Sequence, residues 1–145
     1  MEEFVHARVE RLFAASPQRV FDGWTDPAMI ARWMTAPTEG SDEILHMEAD
    51  VRPGGRFSFL VLRQGQEIDH IGEYLEVERP RRLVFTWGIK GQPSEGSVVS
   101  IDIAQEGSGA RLALSHAIPA AWADYRERTE MGWTRITDRI VEAVG

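Results

Sequence analysis

The chain has 145 residues, a length suited to one folded domain, with no cysteine and a net charge of −7 at neutral pH. These values exclude thiol nucleophiles, thiolate metal sites and disulfides. They also argue against a nucleic-acid surface, because neutralising phosphates requires clustered lysine and arginine. No apolar run approaches the roughly 20 residues of a membrane-spanning helix, so no membrane insertion is expected. The acidic start Met1-Glu2-Glu3-Phe4 lacks the basic segment of a secretory signal, and a cytoplasmic location is expected.

Phe4 to Leu12 alternates loosely and reads as a first strand. Ser16-Pro17 is a helix start, with serine as N-cap and proline at the first helical position. Val20, Phe21 and Trp24 share one face of that short helix. Thr25-Asp26-Pro27 repeats the signal and starts a second helix, with Ile30, Trp33 and Met34 inward. Residues 35–43 read as loop. Strands are expected over 44–51, 56–63, 67–77, 83–89, 98–104 and 111–116, separated by turns at Pro53-Gly54-Gly55, Gln64-Gly65-Gln66, around Pro80, at 91–96 and at Gly107-Ser108-Gly109. Arg79, Arg81 and Arg82 flank the proline turn and read as solvated charge. In the last segment Trp122, Tyr125, Thr129, Trp133, Ile136, Ile140 and Val144 advance by three and four, one stripe of a long helix. Gly132, beside the stripe, reads either as a point of close approach to the sheet or as space for a ligand. Strands in a run with helices set apart mean an α+β fold. A seven-stranded curved antiparallel sheet around the terminal helix is expected, as a single domain over 1–145.

The turns suggest a register. A three-residue loop at 64–66 pairs Arg63 with Glu67 and sets Phe57 against Glu73. A loop over 78–82 pairs Val77 with Leu83 and sets Glu73 against Trp87. The Gly107 turn sets Ile103, Ile101 and Val99 against Leu112, Leu114 and His116. If Val99 also neighbours Trp87, one row of the concave face holds Phe57, Glu73, Trp87, Val99 and His116. Adjacent strands lie about 4.8 Å apart, so Glu73 and His116 are too distant for a direct hydrogen bond on a flat sheet. A bulge or a slip of one residue would instead turn Glu73 to solvent and leave His70, Gly72 and Tyr74 inward. His116 would alternatively cap the last strand.

Other chemistry is poorly supported. His6, His46, His70 and His116 are dispersed, and His46-x-Glu48 lacks a third ligand, so no metal and no cofactor are expected. Pro53-Gly54-Gly55 lacks the spacing of a phosphate loop and reads as a turn. Ser115 and His116 face opposite ways and are no catalytic pair.

These residues also resemble a known family. Ser16-Pro17-x-x-Val20-Phe21-x-x-Trp24-Thr25-Asp26-Pro27 with Trp33, then Asp50-Val51-Arg52-Pro53-Gly54-Gly55, then Gly72-x-Tyr74-x-Glu76-Val77-x-x-Pro80-x-Arg82-Leu83-Val84-Phe85-Thr86-Trp87, and Gly132-Trp133, are similar to the signatures of the family named after the activator of heat-shock protein 90 ATPase. That family lies within the START, polyketide cyclase and birch-pollen-allergen (SRPBCC) superfamily. The resemblance implies a helix-grip fold with an internal cavity. It also implies hydrophobic ligands across the superfamily and, in a few members, cyclisation or condensation. It supplies no catalytic residue.

The expected function is binding of a small hydrophobic molecule between sheet and helix. Trp33, Phe57, Phe59, Phe85, Trp87 and Trp133 would supply apolar contact, and Glu73 and His116 would orient a polar end. An alternative is an enzyme using Glu73 or His116 as general acid or base on a polyketide-like or aromatic ligand. A third reading is an interaction module for a chaperone or regulator, which a side-chain-filled interior would favour. A homodimer is a further partner expectation.

Overall fold

The computed structural model describes residues 4–34, 43–91 and 97–144. The chain runs β1 (Phe4–Phe13), α1 (Pro17–Thr25), α2 (Pro27–Met34), β2 (Glu43–Ala49), β3 (Arg56–Arg63), β4 (Gln66–Glu78), β5 (Arg82–Ile89), β6 (Ser97–Glu106), β7 (Gly109–Pro119), a 3-10 turn (Ala120–Tyr125) and α3 (Arg126–Val144). The strands form one seven-stranded antiparallel sheet in the order β1-β7-β6-β5-β4-β3-β2. This is the helix-grip arrangement. The expected loops over 35–43 and 91–96, apart from Glu43 and Gly91, and the Met34 side chain lie outside the described residues.

The helix starts follow the sequence signals. Ser16 Oγ accepts a hydrogen bond from the Arg19 N–H at 3.3 Å, and Asp26 Oδ1 accepts from the Ala28 N–H at 3.0 Å. Val20, Phe21 and Trp24 of α1 and Ile30 and Trp33 of α2 are buried. They meet inward residues of β1, β3, β5, β6 and β7, among them Val9, Phe57, Phe85, Val99, Ile101 and Leu114.

The terminal stripe is divided. Trp122 has non-helical backbone angles (φ −111°, ψ 23°), so 120–125 forms a 3-10 turn and only 126–144 is α-helical. Tyr125 is 51% exposed, whereas Trp133, Thr137, Ile140, Ala143 and Val144 are buried. Helix α3 lies over β1 and against α1 and α2. Glu130 accepts from the Arg8 backbone N–H at 2.9 Å, satisfying a donor of edge strand β1, and Arg11 pairs with Asp138 at 2.6 Å. At the far end of α3, Arg19 of α1 donates to the Val144 carbonyl, and Arg32 of α2 donates to the Ala143 carbonyl at 3.1 Å. Cationic donors on the final carbonyls also suit the negative end of the helix dipole.

Gly132 does not mark a close approach to the sheet. A Cβ placed there would meet nothing within 4 Å. Gly132→Ala is therefore expected to stabilise the chain by about 0.5–1 kcal/mol through helix propensity. Its thermal midpoint should rise by a few degrees, and a fall would mean that the backbone needs glycine there.

Candidate functional site

Two corrections to the expected register decide what faces inward. First, Gln64 and Gly65 both have positive φ (50° and 79°), so the hairpin turn is a two-residue one and Arg63 pairs with Gln66. Phe57 then pairs with Gly72 rather than Glu73, and Phe59 with His70. Second, β4 carries a bulge: Tyr74 pairs with Phe85 and Glu76 with Val84, so Leu75 is the extra residue. Val77 still pairs with Leu83. His70 and Tyr74 are consequently buried, and Glu73 lies off the concave face. The expected row also ends differently: Phe85 pairs with Val99 and Trp87 with Ser97. The β6–β7 register matches the expectation, with Val99 opposite His116.

The concave face thus presents Phe57 and Phe59 from β3, Tyr74 from β4, and Phe85 and Trp87 from β5. Trp24 and Trp33 descend on them from α1 and α2, and Trp133 from α3. Phe57 stacks on Phe59 with centroids 4.8 Å apart and lies 5.4, 5.9 and 5.8 Å from Tyr74, Phe85 and Trp87. Trp24 lies 5.9 Å from Trp33 and 6.0 Å from Trp133, and Trp133 lies 5.3 Å from Trp87. Among the described residues these rings occupy most of the space between sheet and helices that the sequence suggested as a hollow. A void of about 10 Å³ remains, bounded by Trp24, Trp33, Phe57, Phe59, Tyr74, Phe85 and Trp87. That is about the space for one water. Among the described residues no Asp, Glu, Lys or Arg lines it. The Tyr74 phenol stays protonated, because burial pushes its pKa well above the usual value and the Asp50 carboxylate adds to the effect.

His116 sits beside this cluster in a closed hydrogen-bond chain. The Trp133 indole N–H donates to His116 Nδ1 at 3.0 Å, which fixes the neutral tautomer with its proton on Nε2. Nε2 lies 2.7 Å from Ser97 Oγ, and that hydroxyl donates to the Trp87 carbonyl at 2.9 Å. Both ring nitrogens are engaged. Burial lowers the His116 pKa from 6.5 to about 4. Between these values the unfolded chain binds a proton that the folded chain does not. Stability is therefore full above pH 6.5 and falls as the pH drops towards 4, by about 3 kcal/mol in total. Urea titrations across this range should show the slope, and His116→Gln should flatten it.

Glu73 and His116 do not converge. Glu73 is half-buried beside an outer groove shared with Glu48, Arg56, Ser58, Asp69, Thr86 and Lys90, and its backbone N–H donates to Thr86 Oγ1 at 2.8 Å. His46 and Glu48 form an exposed pair at 3.1 Å. Among the described residues no three His, Asp or Glu side chains gather as a metal cluster.

Trp24, Tyr74 and Ser97 belong to the candidate site in addition to the residues expected from sequence. For Ser97 a signal existed: it lies two residues before Val99 on the same strand face, next to His116. Trp24 carried only a core signal through its spacing from Val20 and Phe21, and Tyr74 emerges only once the two-residue turn is known.

Comparison with known proteins agrees with this architecture. Residues 14–145 match the model of the family described as activator of Hsp90 ATPase homolog 1-like protein. Among the curated proteins none matches the chain. The chain is similar to protein CV1439 from Chromobacterium violaceum, at 26% identity and a TM-score of 0.79, with 96% of each chain covered. It is also similar to the AHSA1-like protein from Aeromonas hydrophila (23% identity, TM-score 0.79, covering 97% of this chain and 92% of that one). A third similar structure is CalU16 from Micromonospora echinospora (25% identity, TM-score 0.68, covering 100% of this chain and 87% of that one).

Proposed function

Because the chain belongs to the activator of Hsp90 ATPase homolog 1-like family, we propose that it binds a small hydrophobic molecule among the rings between the concave sheet and the helices. The SRPBCC fold of this family commonly binds hydrophobic ligands. The observation that carries the reading is the ring cluster itself: seven aromatic side chains face one another around a residual void with, among the described residues, no carboxylate, ammonium or guanidinium on its wall. Protein interiors are close-packed, and this part of the core reaches contact through rings. Here rings meet rings, and each such contact is worth about 0.5–1.5 kcal/mol beyond the area it buries. An incoming aromatic or polycyclic guest replaces those contacts in kind, so parting the rings costs little once it is bound.

Trp33, Phe57, Phe59, Phe85, Trp87 and Trp133 supply the apolar contact in this reading, with Trp24 and Tyr74 added to the set. Glu73 drops out of the contact set by its position on the outer groove. His116 holds Trp133 in place through its hydrogen bond. A screen of lipids, polyketides and aromatics by tryptophan fluorescence tests the proposal. Saturable quenching by at least one class is expected, and no response from any class would overturn it.

The tight filling also favours a second reading, an interaction module for a chaperone or regulator. The exposed apolar side chains Tyr125 and Met131, 51% and 52% accessible, would suit such contacts. Pull-down from native cell extract separates the two, since a stoichiometric protein partner with no small-molecule response would favour the module.

A further inference from the structure

The cluster contains three deeply buried tryptophans: Trp24, Trp33 and Trp133, at 4%, 2% and 3% exposure. Two of their indole N–H groups are satisfied within the protein. Trp33 donates to the Gly23 carbonyl at 2.9 Å, and Trp133 donates to His116 Nδ1 at 3.0 Å. The third is not. Trp24 Nε1 is buried and has no hydrogen-bond acceptor among the described residues. Trp24 also lines the residual void, whereas Trp133 does not.

A buried donor left without an acceptor costs about 1–3 kcal/mol, and native chains retain few of them. Among the described residues no core position supplies the missing acceptor. The void beside Trp24 has about 10 Å³, room for one water but for no larger polar group. The space beside Trp24 therefore admits at most a single water in the free chain.

We infer that the Trp24 indole N–H is the polar determinant of the ligand site, and that the ligand is an uncharged aromatic molecule bearing a hydrogen-bond acceptor such as a ketone or ether oxygen. This rests on the ligand-binding reading above and adds the chemistry of the guest. The acceptor atom takes the place of the water, and the apolar body of the guest takes the place of ring–ring contacts. An anion is disfavoured because, among the described residues, no lysine or arginine lines the void to offset its desolvation. Both nitrogens of nearby His116 already have partners, and the Tyr74 hydroxyl is a second donor on a residue of the void wall, so a ketone preference kept in Trp24→Phe would assign the role to Tyr74.

Three small probes of similar shape test this: ethylbenzene, acetophenone and benzoate, titrated into the whole chain and into Trp24→Phe by calorimetry and ligand-observed NMR. The phenylalanine keeps one six-membered ring in the cluster and removes the N–H along with the fused five-membered ring, so the readout is the ketone-to-hydrocarbon ratio within each chain rather than absolute affinity. In the wild-type chain acetophenone is expected to bind about 3- to 10-fold more tightly than ethylbenzene, the range for one net hydrogen bond. Benzoate should bind more weakly than either. In Trp24→Phe the difference between ketone and hydrocarbon should shrink to within about twofold.

If the probes bind but show no ketone preference, or keep it in Trp24→Phe, the inference fails while the ligand-binding reading stands. Benzoate binding as tight as acetophenone overturns the uncharged character. If none of the three binds, the inference fails, and the wider screen of lipids, polyketides and aromatics decides the ligand-binding reading. Should Trp24→Phe not fold, the indole proton resonance of Trp24 in the wild-type chain decides. A downfield shift with acetophenone and none with ethylbenzene supports the inference, and no shift with acetophenone overturns it.

Discussion

Gly72→Ala is expected to destabilise the chain by more than about 3 kcal/mol and to prevent folding at moderate temperature. A Cβ at this position would lie 1.9 Å from the Thr86 carbonyl oxygen and 2.4 Å from the Phe57 ring. The first neighbour is backbone of the adjacent strand and cannot swing aside. The second is a ring already held against Phe59, Tyr74, Phe85 and Trp87. Relief would require separating β4 from β5 where the bulge already interrupts their pairing between Tyr74 and Glu76. Expression followed by urea unfolding of the soluble fraction measures this. A midpoint within error of wild type would mean that β4 lies further from β5 than described.

Trp133→Ala should cost about 3–5 kcal/mol, the range for removing a large buried aromatic side chain. Trp133 is 3% exposed and touches Trp24, Trp87 and His116. Its loss opens a space at the centre of the ring cluster and strips His116 Nδ1 of its donor. Trp133→Phe separates the two effects: it keeps most of the apolar bulk and should cost about 1–3 kcal/mol, chiefly for the orphaned imidazole nitrogen. Denaturant midpoints of both variants check the order. If Trp133→Phe were as damaging as Trp133→Ala, the hydrogen bond rather than the packing would hold α3 in place.

The fold was legible wherever the signals were local. Ser16-Pro17 and Asp26-Pro27 cap and open α1 and α2 as their chemistry dictates, and alternation located every strand to within a few residues. The register of β6 on β7 followed from the Gly107 turn alone. Failures came where one residue of difference reverses every face. Gln64 adopts a positive φ that glycine normally supplies, so the turn was read one residue too long. The bulge at Leu75 leaves no mark in a stretch that alternates smoothly, because it arises from pairing with β5. Together they moved Glu73 outward. The kink at Trp122 was hidden in the same way, since helical spacing continues through it. The apolar site residues survived these errors because Phe57, Phe59, Phe85 and Trp87 belong to strands whose own alternation fixes their side. How far the rings fill the interior was not legible, because spacing says which face a side chain takes and not how closely it meets its opposite.

The closeness of the indoles has an optical consequence. Trp24, Trp33, Trp87 and Trp133 form a chain with steps of 5.3–6.0 Å. Excited-state energy passes readily between chromophores so near, so light absorbed by any of the four is shared before it is emitted. Trp122, paired with Tyr125 on the 3-10 turn, belongs to a separate emitter. A guest touching a single ring would therefore dim the whole quartet at once and leave the Trp122 signal as an internal standard.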